Sequence, residues 1–451
     1  MYTIASPAKT EAKFYAVSPF DIAGGQRTSL ACRMVTGLPI QPASDPYVAL
    51  AQLLKQVRGV LISLLSYELQ TPLSIIQTTV ETLSEGDTIP AQAQRSMIQQ
   101  ALSELNGLCH LVETFLDYAN HVWAIAMDCA LLRDDVSAPV CLKSMFSPLP
   151  DSFEHAQSGM DIASQHLLPF LEAMTQRQWP ITDAAATQQR LMLEQEWQQV
   201  LAIVNHELRT PFTTLKVCLE TLESEGDVPV EARQSLLSVA NDDLKRLQSL
   251  TYDLALLSRL AARQVCFQTE LVDLQATIQA TLSSFLTQAP EEAAAKIQVE
   301  APAQAPLVWA DGDRLVEVIQ RLLENACQFT AANGEIKIQL QMAGPEERRS
   351  VANRAISGMS MLNINVSDTG QGISAQQLAC IFDCFHQEAG YLKRSQGGMG
   401  IGLTICRYLI EGMGGQIWAE SLGKEQGSRF CFKLLVQQTA TRLSAEYLSA
   451  D

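Results

Sequence analysis

Residues 205–211 read Asn-His-Glu-Leu-Arg-Thr-Pro, and residues 66–72 read Ser-Tyr-Glu-Leu-Gln-Thr-Pro. Both stretches continue into Glu-Thr-Leu and then Ser-Glu-Gly-Asp, with Glu223 extra in the later copy. The Glu, Leu, Thr and Pro occur in both copies, whereas His206 is replaced by Tyr67 in the earlier one. The chain therefore contains an internal duplication in which only one copy carries an imidazole.

Each copy predicts a hairpin of two long amphipathic helices. Apolar residues in 47–130 and 186–262 recur at alternating three- and four-residue spacing on both sides of a turn-like sequence at 86–90 or 226–229. The seam of the later copy consists of Trp197, Leu201, Val204, Leu208, Leu215, Leu222, Leu236, Ala240, Leu244, Leu247, Leu250, Leu254 and Leu257. One hairpin cannot bury both of its seams, whereas two hairpins packed as a four-helix bundle can. We therefore expect helical hairpins in a dimeric four-helix bundle, with a homodimer as the hypothesis.

The heptad positions place the two distinctive side chains on the outside of the predicted bundle. With Leu201 at position a, His206 falls at f, the most solvent-facing position. The same register puts Tyr67 at f of the earlier copy, whose seam comprises Ile62, Leu65, Leu69, Ile76 and Leu83. The earlier copy therefore keeps what packing requires and lacks the imidazole.

The residues after His206 supply groups suited to proton transfer. Glu207 lies beside it as a hydrogen-bond partner or base, and Thr210 lies one turn along the same face. Pro211 lacks the amide that would bond the Glu207 carbonyl, so we expect the helix to bend there. The string resembles the phosphoacceptor box of bacterial sensor histidine kinases, His-Glu-x-x-Thr-Pro. That resemblance implies that His206 is phosphorylated, that Glu207 assists its deprotonation and that Thr210 helps to hydrolyse the phosphorylated partner.

The C-terminal part of the chain holds residues that suit a bound nucleotide. An amphipathic helix over 314–330 carries Asn325 near its end, where the amide oxygen either suits Mg²⁺ or caps the helix. Asp368 opens an Asp-Thr-Gly-Gln-Gly turn, and its carboxylate can accept a hydrogen bond from the exocyclic amine of adenine. Gly370 and Gly372 allow a tight turn and a close backbone approach.

A glycine-rich segment at 397–403 opens a further predicted helix. Backbone amides at such a helix N-terminus can cradle phosphates. The candidate residues are Gly398, Gly400, Gly402 and Leu403. Lys393 and Arg394, just upstream, either reach phosphates or remain solvated charges of a lid. Residues 381–385 resemble the aromatic box of the same kinase family.

Together these elements look like the ATPase fold that histidine kinases share with gyrase and Hsp90. The resemblance covers about 190–440 and, more weakly, 50–120. It implies an α/β two-layer sandwich of the Bergerat type that binds ATP and Mg²⁺. Asn325 would be the metal ligand, and Lys393 with the lid glycines would contact the nucleotide.

Three departures from the family pattern leave alternatives open. Arg321 and Gln328 stand where the family often has Asn and Lys, and Cys384 stands where Arg or Pro is common. A weak or inactive kinase that acts mainly as a response-regulator phosphatase or regulatory scaffold is therefore one alternative. A gyrase-like or chaperone ATPase is a poorer one, because those proteins have no helix like 205–211.

Changes in composition and periodicity divide the chain into six segments. The expected domains are 1–46, an uncertain N-terminal segment; 47–130, the hairpin with Tyr67; 131–185, a linker or small sensory module; 186–264, the dimerisation and phosphoacceptor domain; 265–440, the ATP-binding domain; and 441–451, a tail.

Bulk composition excludes several classes of function. A net charge of −17 disfavours nucleic acid as a partner, because phosphate neutralisation needs clustered Lys and Arg. The 11 cysteines include no Cys-x-x-Cys pair, so a zinc site is not expected. No apolar run approaches the ~20 residues that span a bilayer, and the N-terminus lacks a signal-peptide pattern. We therefore expect a cytoplasmic protein with no transmembrane segment.

The resemblance implies a soluble two-component sensor histidine kinase. ATP would phosphorylate His206, and the group would pass to an aspartate of a separate response-regulator receiver domain, with a hinge at 260–265. The Tyr67 copy has three interpretations: a structural remnant, a docking surface that modulates the active bundle, or a site of tyrosine chemistry. The first two are favoured, because a phenol with a pKa near ~10 cannot replace an imidazole that titrates around neutrality.

Overall fold

The computed structural model describes residues 46–85, 89–131, 184–224, 228–261, 264–288, 297–302, 305–331, 333–342, 360–387 and 398–437. These residues fall into two compact units, a helical unit that ends at Gln264 and an α/β unit that begins at Val265. The α/β unit contains the described residues of 265–388 and 400–437. The expected segments 1–46, 131–185 and 441–451 lie almost entirely outside the described residues.

The helical unit consists of two helical hairpins. Their helices are α1 Pro46–Glu85, α2 Ala91–Leu131, α3 Ala184–Ser224 and α4 Val230–Ala261. The three-and-four spacing predicted these helices. Both α1 and α3 continue through a proline, Pro72 and Pro211 respectively. The bend expected at Pro211 stays a prediction.

The two hairpins pack against each other as a four-helix bundle within one chain. Helices α1 and α3 each pack on both α2 and α4, whereas α1 and α3 face each other across the diagonal. Leucines from all four helices are fully buried at the centre, among them Leu69, Leu105, Leu208 and Leu244. Burying such a side chain stabilises the fold by about 1.5–3 kcal/mol. The seam pattern predicted two hairpins in one bundle, and the structure shows such a bundle within one chain. The homodimer stays a prediction.

One stretch of the bundle resembles a membrane span in length and composition. Leu53–Glu85 has a mean hydropathy of 1.3 over its most apolar window, although the sequence predicted no transmembrane segment. Of that window, 61% is buried inside the molecule. A buried core helix has the same apolar character, and α1 has two neighbouring helices to pack against.

The α/β unit contains a five-stranded mixed sheet and a separate two-stranded ribbon. The sheet has the order β2 Ile297–Glu300, β4 Ile336–Met342, β5 Met361–Asp368, β7 Ser428–Leu435, β6 Gln416–Glu420. Only the β2–β4 pair is parallel. The ribbon pairs β1 Glu270–Val272 with β3 Val308–Ala310 in antiparallel fashion.

The helices of this unit form the second layer. They are α5 Leu274–Gln288, α6 Gly312–Phe329, α7 Ala375–Leu378 and α8 Gly402–Gly412. Helix α6 packs on α5, α8 and β5 through a buried stripe that includes Leu315, Ile319 and Leu322. Asp311 caps α6, because its Oδ1 accepts the Arg314 amide at 3.2 Å. The expected α/β two-layer sandwich is confirmed.

Candidate functional site

His206 lies on the outside of the bundle, as its heptad position predicted. Its side chain is 52% exposed, and its Nδ1 faces Oε1 of Glu207 at 3.4 Å. Thr210 follows one turn later, and its hydroxyl donates to the His206 carbonyl at 3.0 Å. The structure therefore brings the three residues of the predicted phosphoacceptor site together on one face of α3.

Glu207 is buried beside the exposed histidine and forms an ion pair. Its side chain is 7% exposed, and its Oε2 accepts a hydrogen bond from Arg246 Nη2 of α4 at 2.9 Å. A buried carboxylate needs such a charged partner, since its desolvation is otherwise costly. Sequence reasoning missed Arg246, because it lies 39 positions further along the chain and only the packing of α3 on α4 brings it close.

The threonines around Pro211 satisfy backbone carbonyls of α3. Thr213 Oγ1 donates to the Arg209 carbonyl at 2.9 Å, and Thr214 Oγ1 donates to the Thr210 carbonyl at 3.3 Å. Pro211 itself has no amide to give to the preceding turn. These hydroxyls bond the carbonyls of Arg209 and Thr210, whereas the carbonyl that loses its backbone donor to Pro211 is that of Glu207.

The earlier copy differs from the later one at more than the histidine. Tyr67 is 43% exposed at the position of His206, and Glu68 is buried like Glu207. When α2 and α4 are aligned at their first residues, the counterpart of Arg246 is Gly107. A Cβ on Gly107 would meet no atom within 4 Å. The earlier copy thus has a tyrosine at the position of His206 and a glycine at the position of Arg246.

In the α/β unit, Asn325 lies half-buried in the last turn of α6. One turn earlier, Arg321 donates to Glu317 Oε1 at 2.8 Å, and Arg314 donates to Glu317 Oε2 at 2.9 Å. Arg321, which differs from the asparagine common in the family, therefore belongs to an ion-pair network with Glu317 and Arg314. Both partners lie nearer the N-terminus of α6. The amide of Asn325 lies on the opposite, C-terminal side of Arg321.

Asp368 ends the central strand β5 and is buried. Its Oδ1 accepts the Gly370 amide at 2.8 Å, and its Oδ2 accepts a short hydrogen bond from the Ser428 hydroxyl. A Cβ on Gly370 would lie 2.3 Å from the Phe329 carbonyl oxygen at the end of α6. The turn after Asp368 therefore fits closely against the helix that carries Asn325. Ser428 was not foreseen, because its role depends on the pairing of β5 with β7.

Gly372 closes the same turn in a conformation that favours glycine. Its φ is 65°, and a Cβ there would lie 2.0 Å from the Gly423 carbonyl oxygen. On the other side, Gly427 has a φ of 70°, and a Cβ there would lie 2.1 Å from the Asp368 carbonyl oxygen. The Asp368 turn therefore packs backbone against backbone with the loop that joins β6 to β7.

The aromatic segment and the glycine-rich segment are bonded to each other. The Phe385 amide donates to the Gly400 carbonyl at 3.1 Å, and the Thr404 hydroxyl donates to the Phe382 carbonyl at 3.0 Å. Gly400 has a φ of 71°, and a Cβ on it would lie 2.4 Å from the His386 carbonyl oxygen. This contact is the structural counterpart of the predicted aromatic box.

Helix α8 begins at the end of the glycine-rich segment. Its first residues are Gly402 and Leu403, and the residue at its N-cap is Ile401. An isoleucine offers no side-chain oxygen to the first amides of the helix, which leaves them suited to an anion. A Cβ on either Gly398 or Gly402 would meet no atom within 4 Å. Lys393 lies outside the described residues.

Comparison with known protein families agrees with this geometry. Residues 310–438 match the model of the histidine kinase-, DNA gyrase B- and HSP90-like ATPase domain. Residues 57–121 and 196–263 each match the model of the His Kinase A phospho-acceptor domain. The chain belongs to the sensor histidine kinases. The match to 57–121 shows that the copy with Tyr67 is recognisable as a phosphoacceptor domain despite its missing histidine.

Individual relatives are similar to this sensor histidine kinase over about half of its length. The adaptive-response sensory kinase SasA of Microcystis aeruginosa is 33% identical over 245 residues, which are 53% of this chain and 59% of that protein. Drug sensory protein A of Synechocystis is 33% identical over 53% of this chain and 35% of that protein. Sensor histidine kinase WalK of Bacillus subtilis is 27% identical over 54% and 37% respectively. The chain thus spans about 60% or less of these relatives.

Among solved structures, full-length ShkA in complex with AMPPNP covers 54% of this chain and 47% of its own. The sequence identity is 23% and the TM-score is 0.39.

Proposed function

We propose that this sensor histidine kinase phosphorylates His206 from ATP and passes the phosphoryl group to an aspartate of a separate response regulator. The observation that carries the proposal is the arrangement of Glu207. One carboxylate oxygen faces the exposed imidazole and the other is held by Arg246. Water alone can hydrate the imidazole of a surface histidine that has no chemical role. A buried and oriented carboxylate beside His206 therefore points to proton transfer.

The geometry suggests how the histidine becomes a nucleophile. In the tautomer with its proton on Nδ1, His206 donates to Glu207 and leaves the Nε2 lone pair free to attack. The bond from the γ-phosphorus to the bridging oxygen of ATP breaks, a phosphorus–nitrogen bond forms, and ADP leaves with the electron pair. Glu207 stabilises the charge that develops on the ring and accepts the Nδ1 proton.

The α/β unit supports the proposed ATP-binding residues. Asp368 would accept a hydrogen bond from the adenine amine. Gly370 and Gly372 would let the backbone of the turn approach the base closely. The lid residues Gly398, Gly400, Gly402 and Leu403, with Lys393, would surround the phosphates. The helix N-terminus at Gly402 is suited to this role because its residue at the N-cap has no oxygen.

Asn325 fits the proposed site of Mg²⁺. Its amide oxygen is the hard, neutral type of ligand that Mg²⁺ accepts, and it lies in the helix turn beside the Asp368 loop. When bound, Mg²⁺ would neutralise charge on the phosphates during transfer. Thr210, one turn from the acceptor, is the residue proposed to help hydrolyse the phosphorylated regulator.

Four further expectations belong to the same proposal. The domains keep the limits 47–130, 186–264 and 265–440, with a hinge at 260–265 that lets the ATP unit reach His206. The protein works as a soluble, cytoplasmic kinase, which the burial of the apolar stretch Leu53–Glu85 supports. The homodimer that the seam pattern suggested stays a prediction, and the packing of the first hairpin on the His206 hairpin favours a bundle within one chain.

Labelling with γ-³²P ATP tests the proposed reaction. The full chain should acquire acid-labile, alkali-stable label, and His206→Gln should remove it. Tyr67→Phe, the matched control on the other copy, should label like the parent protein. Nucleotide binding without any label would favour the phosphatase or scaffold. Steady ATP turnover that survives His206→Gln would favour the gyrase-like alternative.

Transfer to the partner is tested with the labelled protein. A purified receiver domain should remove the label from His206 within minutes and carry it on its phosphorylated aspartate. Receivers differ in the surface they offer to a helical bundle, so a panel should reveal one preferred acceptor. Retention of the label with every receiver would contradict the second half of the proposal.

A further inference from the structure

The hairpin of α1 and α2 occupies the place that a second His206 hairpin would take in a dimer. We infer that this cover is permanent, so that one chain forms a complete bundle with a single phosphoacceptor and transfers phosphate within itself. The inference rests on the proposed kinase reaction for its second part. Its first part, a monomer with an intramolecular bundle, stands independently on the packing.

The helix arrangement is that of a two-fold symmetric pair of hairpins. In such a pair, like helices lie on the diagonal and each contacts both unlike helices. Here the like helices α1 and α3 are diagonal, and α3 contacts α2 of the other hairpin as well as its own α4. Two unequal copies thus reproduce, within one chain, the contacts that two identical copies would make.

A ladder of polar contacts runs along the α2–α3 face. The pairs are Gln99 with Glu223 at 2.9 Å, Asn106 with Lys216 at 2.9 Å, Glu113 with Arg209 at 3.2 Å and Asn120 with Gln198 at 2.9 Å. The four residues of α2 are spaced seven apart, which places them on one stripe of the helix. This ladder passes directly beside His206, since Arg209 belongs to the same motif.

Aromatic and polar contacts extend this pairing along the bundle. Trp123 of α2 stacks on Trp197 of α3, with ring centroids 4.4 Å apart and planes inclined by 6°. On the opposite face, Ser258 donates to the Gly59 carbonyl at 3.1 Å, and Gln248 donates to Gln77. Both interfaces between the hairpins are therefore bonded.

The partners in the ladder fit the first hairpin better than a second copy of the His206 hairpin. Aligning α2 with α4 at their first residues shows what a second copy would present. Lys216 would face Lys245 in place of Asn106, which brings two positive charges together. Arg209 would face Tyr252 in place of Glu113 and lose its ion pair. Specificity between competing partners arises from such repulsions and losses.

Covalent connection adds to this preference. The first hairpin is tethered to the second in the same chain, so its effective concentration exceeds that of a separate molecule at ordinary dilution. A second chain would have to displace a covered seam and accept a poorer set of contacts. It follows that each bundle offers one imidazole at a phosphoacceptor position, that of His206, while the diagonal position presents Tyr67.

The oligomeric state of the full chain provides the first test. Size-exclusion chromatography with light scattering should give the mass of one chain, 49.4 kDa, at every concentration from the nanomolar to the high micromolar range. A mass of twice that value would overturn the inference. The result does not depend on kinase activity, so it remains informative even if the proposed reaction fails.

Mixing two full-length variants provides the second test. His206→Gln retains the ATP unit without an acceptor, and Asp368→Asn retains the acceptor with an impaired adenine contact. Separately or mixed, they should show no label above background, whereas the parent protein should label with a rate per chain that is independent of concentration. Label on the mixed variants, or a rate that rises with concentration, would overturn transfer within one chain. An unlabelled parent protein would instead refute the proposed function.

Discussion

The carboxylate of Glu207 connects the exposed face of the bundle with its interior. Oε1 faces His206, and Oε2 is bonded to Arg246 of the neighbouring helix. Because one oxygen is held, the other is restrained in its position beside Nδ1, where it can accept the Nδ1 proton in the proposed reaction. In the earlier copy a glycine, Gly107, takes the place of the arginine. The two copies thus differ both at the position of the histidine and at the position of the residue that holds Glu207.

Replacing Arg246 tests this positioning role. Arg246→Gln should slow His206 labelling by roughly tenfold or more. This is a fraction of the rate enhancement that a correctly oriented general base contributes. Arg246→Lys should recover part of the rate, and the acid limb of the pH–rate profile should move in Arg246→Gln. Circular dichroism would check that the bundle is intact. A pH–rate profile of unchanged shape in Arg246→Gln would assign Arg246 a purely structural role.

Asp243, a carboxylate on α4, differs from Glu207 because its surroundings disfavour its ionised form. Burial raises the pKa of Asp243 above its ordinary value of 3.8, and the nearby charge of Asp242 raises it further. Arg246 and the hydroxyl of Thr214 oppose the change in pKa without cancelling it. Because the folded pKa is the higher one, the folded state favours the neutral carboxyl, and stability falls as pH rises through that pKa.

Asp243→Asn should therefore stabilise the protein at neutral pH. The substitution keeps an oxygen that can accept from Thr214 and removes the half-buried charge. Urea unfolding at pH 7 should show a higher midpoint than the parent protein, and the gain should shrink toward pH 4. Asp242→Asn is the matched control, since Asp242 is its exposed neighbour. A gain of equal size at both pH values would contradict the explanation through ionisation.

At the scale of elements, the nucleotide unit depends on loops that touch the ends of other elements. The Asp368 turn approaches the end of α6 through Gly370 and the β6–β7 loop through Gly372 and Gly427. Glycine is required at these positions because backbone atoms, which cannot move aside, occupy the space of a Cβ. The lid glycine Gly402 has no such neighbour, which suits a segment that contacts a ligand.

Gly370→Ala should accordingly damage the fold of this unit. Its Cβ would lie 2.3 Å from the Phe329 carbonyl, and we expect destabilisation of about 1–3 kcal/mol with weakened ATP binding. Gly402→Ala should leave the thermal midpoint near that of the parent protein, because a Cβ there meets open space. Differential scanning calorimetry measures the first effect and nucleotide titration the second. Equal midpoints for the two variants would contradict the steric argument.

At the scale of the whole molecule, duplication has produced a bundle from two copies with different roles. The first hairpin kept the buried seam and acquired polar partners for α3, among them Glu113 and Asn106. The second kept His206 and its base. The α/β unit follows as a separate compact body. We expect the folding of the His206 hairpin to require the first hairpin, because the latter covers its apolar seam.

The sequence alone determined the local features of this protein. Seam periodicity predicted four helices and the exposure of His206 and Tyr67, and the family resemblance of the Asp368 turn and the glycine-rich segment implied the α/β sandwich. These features depend on residues close in the chain, which periodicity and turn chemistry report directly.

Only the tertiary structure decided which groups meet. Arg246 reaches Glu207, and Ser428 reaches Asp368, through contacts between helices or strands far apart in sequence. The sequence pattern likewise did not predict that the two hairpins of one chain pair with each other. An apolar seam predicts that a helix face is buried, but it does not identify the hairpin that covers it. That choice depends on side chains facing each other across the bundle, such as Glu113 and Arg209, and those become neighbours only when the chain has folded.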